Sequence, residues 1–227
     1  NAVDKLKALL RDRAAEMLGV SAEEIAIEKG RLACKRQRSR SLSLAQVAAA
    51  ASAQGKPLEV ESYHLETETP AEGVFTACVA EVSVDLETGQ VQLRKLDTVH
   101  DVAMILNPVG HQGQIDGGIM QGVGYALSEE MVMEDGRVTT LNLGEYKIPN
   151  VKDISPLKTT LVRGDAGAAP FQSKEIGESA ISQVAPAIAN AVYDAVGVRI
   201  KDLPITAEKV FRALQDQKTE NKRGWRA

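Results

Sequence analysis

The sequence predicts an α+β fold in which a mixed β-sheet is packed with helices, and three observations carry that expectation. At the start of the chain apolar residues recur at spacings of three, four and seven, the mark of an amphipathic helix. Across residues 74–102 they alternate instead, on both sides of the turn sequence DLETG, as in a long two-stranded hairpin. Helix-like and strand-like stretches then follow one another without a fixed repeat and without a composition break that demands a domain boundary. With 227 residues and 44% hydrophobic content the chain can bury an ordinary core, as one large domain or two small lobes.

The first helix is expected from about Val3 to Leu18 and stops at Gly19, a residue suited to a left-handed cap. IAIEKGRLAC then reads as a small hairpin turning at Lys29-Gly30. An Ala-rich helix begins near Ser43 and ends at Gly55, with Pro57 enforcing the exit. From Leu58 the stretch LEVESYHLE alternates and reads as a strand, ahead of the long hairpin. The far strand of that hairpin runs to Asn107-Pro108, where proline removes a ladder donor and a helix can start.

Residues 110–130 place apolar side chains at positions 115, 119, 120, 123, 126 and 127, the pattern of a buried helix. A hairpin at Asp135-Gly136, the strand-like LKTTLVR and a loop of Gly, Ala and Pro at 164–170 come next. A small apolar helix from Ala185 to Val196 ends at Gly197, and Thr206 caps a terminal helix. Residues 216–227 are polar and are expected to form a frayed tail.

The formal net charge of -4 draws the chain neither to nucleic acid nor to an anionic membrane. The basic run KRQRSR, residues 35–40, has no interleaved aromatics and reads as a solvated loop; nucleic-acid binding through it is the alternative. With no long apolar stretch and no signal pattern, the chain reads as a soluble, cytoplasmic protein. Cys34 and Cys78 are far apart, and His64, His100 and His111 are dispersed, so they read as structural or surface residues and no metal ligand is assigned. The chain opens without methionine, directly in a helical pattern, as a piece of a longer polypeptide or one carrying a short expression scar.

Two features ask for a reason. Gly113, Gly117, Gly118, Gly122 and Gly124 all fall inside the expected central helix, where each costs about 0.5–1 kcal/mol relative to alanine. Close approach of another backbone, or of a ligand, would account for them. The other feature is Glu178, between Gly177 and Ser179, at the expected mouth of the small apolar helix. A carboxylate there either caps the helix or does chemistry.

Five segments in order, DVAMILNP, GQIDGGIMQGVGYALSEE, EYKIP, PFQSKEIGES and GVRIKDLPITAEKV, resemble the C-terminal molybdopterin-binding domain of the xanthine dehydrogenase and aldehyde oxidase family of molybdenum hydroxylases. The resemblance covers nearly the whole chain and favours a native start just downstream of a missing cofactor loop. It implies a fold of the molybdenum cofactor-binding type, with residues 1–227 as the distal part of a large subunit. It also implies hydroxylation of an aldehyde or a purine-like N-heterocycle with water as the oxygen source. Lys174, Gly177 and Glu178 match the family's K-x-x-G-E motif, which makes Glu178 the general base that takes the proton from the attacking hydroxyl. Burial at a water-poor junction is expected to raise its pKa towards working pH.

Gln114 matches the family's G-Q-x-x-G segment, and its amide suits contact with a pterin. Gln121, Gly113, Gly117, Gly118 and Gly177 complete the implied cofactor-binding set. Glu175 departs from the small residue usual after the motif's lysine; it either raises the pKa of Glu178 or points to solvent. The implied partners are an upstream molybdopterin-binding domain, iron–sulfur (2Fe-2S) and FAD domains or subunits, and a small-molecule substrate. Without them the chain is not expected to turn over. A non-catalytic assembly domain that keeps the fold is the competing expectation.

Overall fold

In the computed structural model, which describes residues 1–63, 73–165, 167 and 169–224, the chain divides into two compact units, Asn1–Thr69 and Pro70–Ala227. The first unit opens with α1 (Ala2–Leu18), closed by Gly19 at φ 63°. Strands β1 (Ile25–Glu28), β2 (Arg31–Cys34) and β3 (Ser41–Ser43) form an antiparallel sheet in that order. Lys29 and Gly30 turn the first hairpin with positive φ of 48° and 74°, the geometry that two-residue turns demand. Helix α2 (Leu44–Ala53) starts in a capping box, in which Gln46 N–H donates to Ser43 Oγ (3.1 Å) and Ser43 N–H to Gln46 Oε1 (2.8 Å). Ala14, Ala15, Ile25, Leu32 and Val47 close its core.

The basic loop after β2 is solvated, and two of its cations meet local acids: Arg36 with Glu24 (3.3 Å) and Arg38 with Glu28 (3.2 Å). The strand expected from Leu58 does not form over residues 58–63. No strand among the described residues pairs with this stretch, and alternation without a ladder partner leaves backbone groups to water. The rest of that stretch, including His64, lies outside the described residues.

The second unit is built on a three-stranded sheet of order β4-β5-β8, with β4 (Thr76–Val84), β5 (Val91–Asp101) and β8 (Leu157–Val162). It is mixed: β4 and β5 are the expected antiparallel hairpin, and β8 runs parallel to β5. Asn107 caps α3 (Pro108–Leu127) by accepting from Gly110 N–H (3.0 Å), with proline in the first turn. Between α3 and β8 lie the hairpin β6 (Met133–Glu134) and β7 (Arg137–Val138) and the short α4 (Leu143–Tyr146). Helix α5 (Val184–Val196) ends at Gly197 with φ 73°.

Helix α3 packs on β8 and on α5, and α5 packs on β4. Leu96, Ile115, Ile119, Val184, Ile188, Val192 and Val210 are buried together there, each large apolar side chain contributing about 1.5–3 kcal/mol. Thr206 Oγ1 caps α6 (Ala207–Gly224) by accepting from Lys209 N–H (3.3 Å). That helix runs past residue 216, where fraying was expected, through Gly224.

Candidate active site at the end of the sheet

Parallel pairing of β5 with β8 requires a crossover, and α3 lies within it. Asp101 and Val162, the last residues of the two strands, are register partners. The segment leading into α3 and the loop leading towards Glu178 therefore leave the sheet at the same end. Hydrogen bonds join them: Val102 N–H donates to Val162 O (3.0 Å), Met104 N–H to Gln172 O (3.3 Å) and Lys174 N–H to Val102 O (3.4 Å). A buried ion pair reinforces the junction, with Lys174 Nζ 2.6 Å from Asp101 Oδ2 and side-chain exposures of only 6% and 13%. The Lys174 ammonium holds the Asp101 carboxyl below the usual carboxylate range.

Glu178 sits beyond this junction, but not at the mouth of a helix. Residues 177–183 form bends and turns, with Ile181 N–H donating to Glu178 O (3.1 Å), and α5 begins only at Val184. A capping role at α5 is thereby removed, because orphan helix N–H groups lie only in the first turn. The expected burial is also corrected: the side chain of Glu178 is exposed in this chain. Glu175 has a defined task, since its Oε1 accepts from Glu178 N–H at 2.8 Å and fastens the turn. Gly177 lies between them, where an added Cβ would stand 3.1 Å from Glu175 Oε1.

Four of the glycines of α3 fall into two groups, while Gly124 is buried apart from them, where a Cβ would meet the Glu129 carboxylate and Pro149. Gly118 and Gly122 are buried, and a Cβ on them would meet Ala180 Cβ at 2.9 Å and Val184 Cβ at 2.7 Å. Gly118 thus packs against the segment that follows Glu178. Gly113 and Gly117 are exposed, with nothing within 4 Å of where a Cβ would be. Residues four apart share a helix face, so Gln114 stands one turn before Gly118, on the face turned towards Ala180. Glu178 is two residues ahead of Ala180. The side chain of Gln114 is exposed and makes no hydrogen bond among the described residues.

Gln121 belongs to the other face. Its Nε2 donates to Tyr125 Oη (2.7 Å), and with Gly117, Met120, Tyr125, Glu129 and Tyr146 it lines a cavity of about 470 Å³. A hydrogen bond to Glu129 raises the pKa of the Tyr146 phenol. Of the implied cofactor set, Gly117 and Gln121 line this cavity, Gly177 lies in the Glu178 turn, Gln114 is exposed one turn before Gly118, and Gly113 is exposed one turn before Gly117.

A polar cluster beneath α3 escaped sequence reasoning. Thr159 Oγ1 and Gln112 Nε2 both donate to Asp116 Oδ1 (2.9 and 2.7 Å), and Thr98 is the register partner of Thr159. His100 is 1% exposed with neither ring nitrogen hydrogen-bonded, and His111 is also buried with Nε2 unpaired. Burial lowers the pKa of His100, against an opposing pull from Asp116. The alternation that sets Leu96, Thr98 and His100 on one face of β5 was the available signal.

Among the described residues no group of three His, Cys, Asp or Glu side chains could hold a metal ion. No described helix is long and apolar enough to cross a membrane. Residues 1–155 match the molybdopterin cofactor-binding domain family, and the chain belongs to it.

A probable xanthine dehydrogenase subunit of Bacillus subtilis is 34% identical over 231 residues, 94% of this chain and 30% of that protein. The aldehyde oxidoreductase molybdenum-binding subunit PaoC of Escherichia coli is 34% identical over 149 residues, 64% of this chain and 20% of that one. Among solved structures, quinoline 2-oxidoreductase from Pseudomonas putida 86 superposes with a TM-score of 0.67 at 26% identity, over 94% of this chain and 28% of that one. The chain spans less than a third of the length of each of these relatives.

Proposed function

We propose that this chain is the distal part of the molybdopterin-binding large subunit of a hydroxylase that oxidises an aldehyde or an N-heterocycle, with Glu178 as general base. The observation that carries this reading is the packing of the segment after Glu178 on α3, where Ala180 and Val184 fill the space left by Gly118 and Gly122, one helical turn from Gln114. Membership of the family and relatives named as xanthine dehydrogenase and aldehyde oxidoreductase subunits support it.

The residues present fit a pterin-bound molybdenum group contributed to from two sides. Gly113 and Gly117 leave open space where side chains would stand, and Gln114 offers an unengaged amide with both donors and an acceptor. Gln121 and Gly177 belong to the same proposal through their places beside these residues. When bound, the cofactor supplies the two-electron acceptor for oxidation of the substrate carbon. Everything else asked of this chain is positional: Gln114 orients the group, and Glu178 takes the proton of the attacking hydroxyl. A positioned base of this kind contributes on the order of 10² to 10⁴-fold.

Exposure of Glu178 within this chain assigns the water-excluding wall to the rest of the assembly. That assembly comprises the upstream molybdopterin-binding domain, the iron–sulfur (2Fe-2S) and FAD domains or subunits, and the small-molecule substrate. The test is Glu178→Gln in the assembled enzyme. Turnover falls by about 10²-fold or more while molybdenum and pterin content stay at the wild-type level. Retained turnover would remove Glu178 as base and leave the chain as an assembly domain of the family.

A further inference from the structure

The loop that carries Glu178 has weak internal means of holding its shape. From Arg163 to Gln183 its described residues contain only one short helical turn, at Pro170–Gln172, and Phe171 and Gln172 both adopt positive φ (64° and 62°). Left-handed backbone at consecutive non-glycine residues persists only where surrounding contacts over-determine it. The contact best able to do so is the ion pair between Asp101 and Lys174, which is buried where surface salt bridges are not.

The pair draws four parts of the second unit together. Lys174 Nζ donates to Asp101 Oδ2 (2.6 Å) and to Gly73 O (3.2 Å), while Asp101 Oδ1 accepts from Gly164 N–H (3.1 Å) and Ala103 N–H (3.4 Å). The loop is shaped around it. A Cβ on Gly164 would lie 2.5 Å from Asp101 Oδ1, and one on Gly167 would lie 2.0 Å from Ser173 O. Lys174 is four residues before Glu178 and Asp101 ends β5, so the pair fixes the glutamate turn to the central strand of the sheet.

We infer that Asp101 and Lys174 act as a positioning clamp for Glu178, setting where its carboxylate stands at the end of the sheet. This rests on the reading of Glu178 as base. Neither residue touches the reacting atoms, and their contribution to turnover passes through the glutamate. Misplacing a catalytic group by about 1 Å is enough to cost on the order of 10²-fold in rate.

The experiment is a cycle in the assembled, cofactor-loaded enzyme. Asp101→Asn combined with Lys174→Met removes both charges, so no lone charge is left buried. A second variant, Lys174→Arg, keeps the charge and tests rescue. Kcat of the double variant falls about 10- to 100-fold with KM changed less than threefold, and Lys174→Arg recovers a large part of the loss. In the Glu178→Gln background the same pair of changes alters the residual rate by less than about twofold, because residues acting as one unit are non-additive.

Independently of turnover, hydrogen exchange of the amides of residues 175–181 quickens in the double variant. Wild-type kcat, unchanged exchange, or an equal fractional loss in the Glu178→Gln background each overturns the clamp. Wild-type turnover of Glu178→Gln alone overturns the base reading instead, so the two failures are told apart.

Discussion

The two faces of α3 carry the same residue type for opposite reasons. On the inward face, Gly118 and Gly122 admit Ala180 and Val184 to distances at which any side chain would collide. On the outward face, Gly113 and Gly117 admit nothing in this chain, although a helix interior still loses about 0.5–1 kcal/mol at each. A glycine kept against its helix cost needs a neighbour that wants the space. Inside, that neighbour is the segment joining the Glu178 turn to α5. Outside, the proposed function supplies it as the cofactor and the rest of the subunit.

The sharpest way to break this contrast is to add bulk inside. Gly122→Leu forces a side chain into Val184 and is expected to destabilise the second unit by about 1–3 kcal/mol, read from the midpoint of urea unfolding. An unchanged midpoint would mean that the inward face is loosely packed and the contrast empty.

The polar cluster under the N-terminal half of α3 tests how dry the inward side is. Unfolded, His100 takes a proton near its ordinary value of 6.5; folded, its pKa is lower, so the unfolded chain binds more protons below that pH. Stability conferred by the folded state is complete above about pH 6.5 and declines as pH falls below it. His100→Leu is expected to flatten this decline in urea titrations between about pH 7 and 5. An unaltered slope would show that water reaches the imidazole.

The smallest effect carries the most information about the outward face. Gly113→Ala and Gly117→Ala meet no atom here and are expected to stabilise the chain by about 0.5–1 kcal/mol each. In the assembled enzyme the same changes lower retained molybdopterin, measured as pterin released per subunit. A gain in stability without loss of cofactor would leave the outward glycines with no ligand to explain them.

Much of the fold was legible because local chemistry decided it. Gly19, Lys29-Gly30, Ser43, Asn107-Pro108, Asp135-Gly136, Gly197 and Thr206 all act where backbone geometry or capping demands their side chains. The alternation of residues 74–102 became β4 and β5 for the same reason. Where the reading failed, the deciding partner was remote. Residues 58–63 alternate but find no neighbouring strand, and Glu178 looked like a helix cap until the turn of residues 179–183 was placed between it and α5. The division of the chain at Thr69 left no trace in composition.

Sequence by itself determined the long helices, most of the turns, the long hairpin and the resemblance that marks Gln114 and Glu178, because periodicity, caps and motifs are properties of neighbouring residues. Only the tertiary structure decided that β8 joins β5 in parallel, that Gly118 serves packing while Gly117 stands open, and that Lys174 reaches Asp101. Those outcomes depend on which distant surfaces meet, and contact between residues 73 positions apart has no local signature for a one-dimensional pattern to hold.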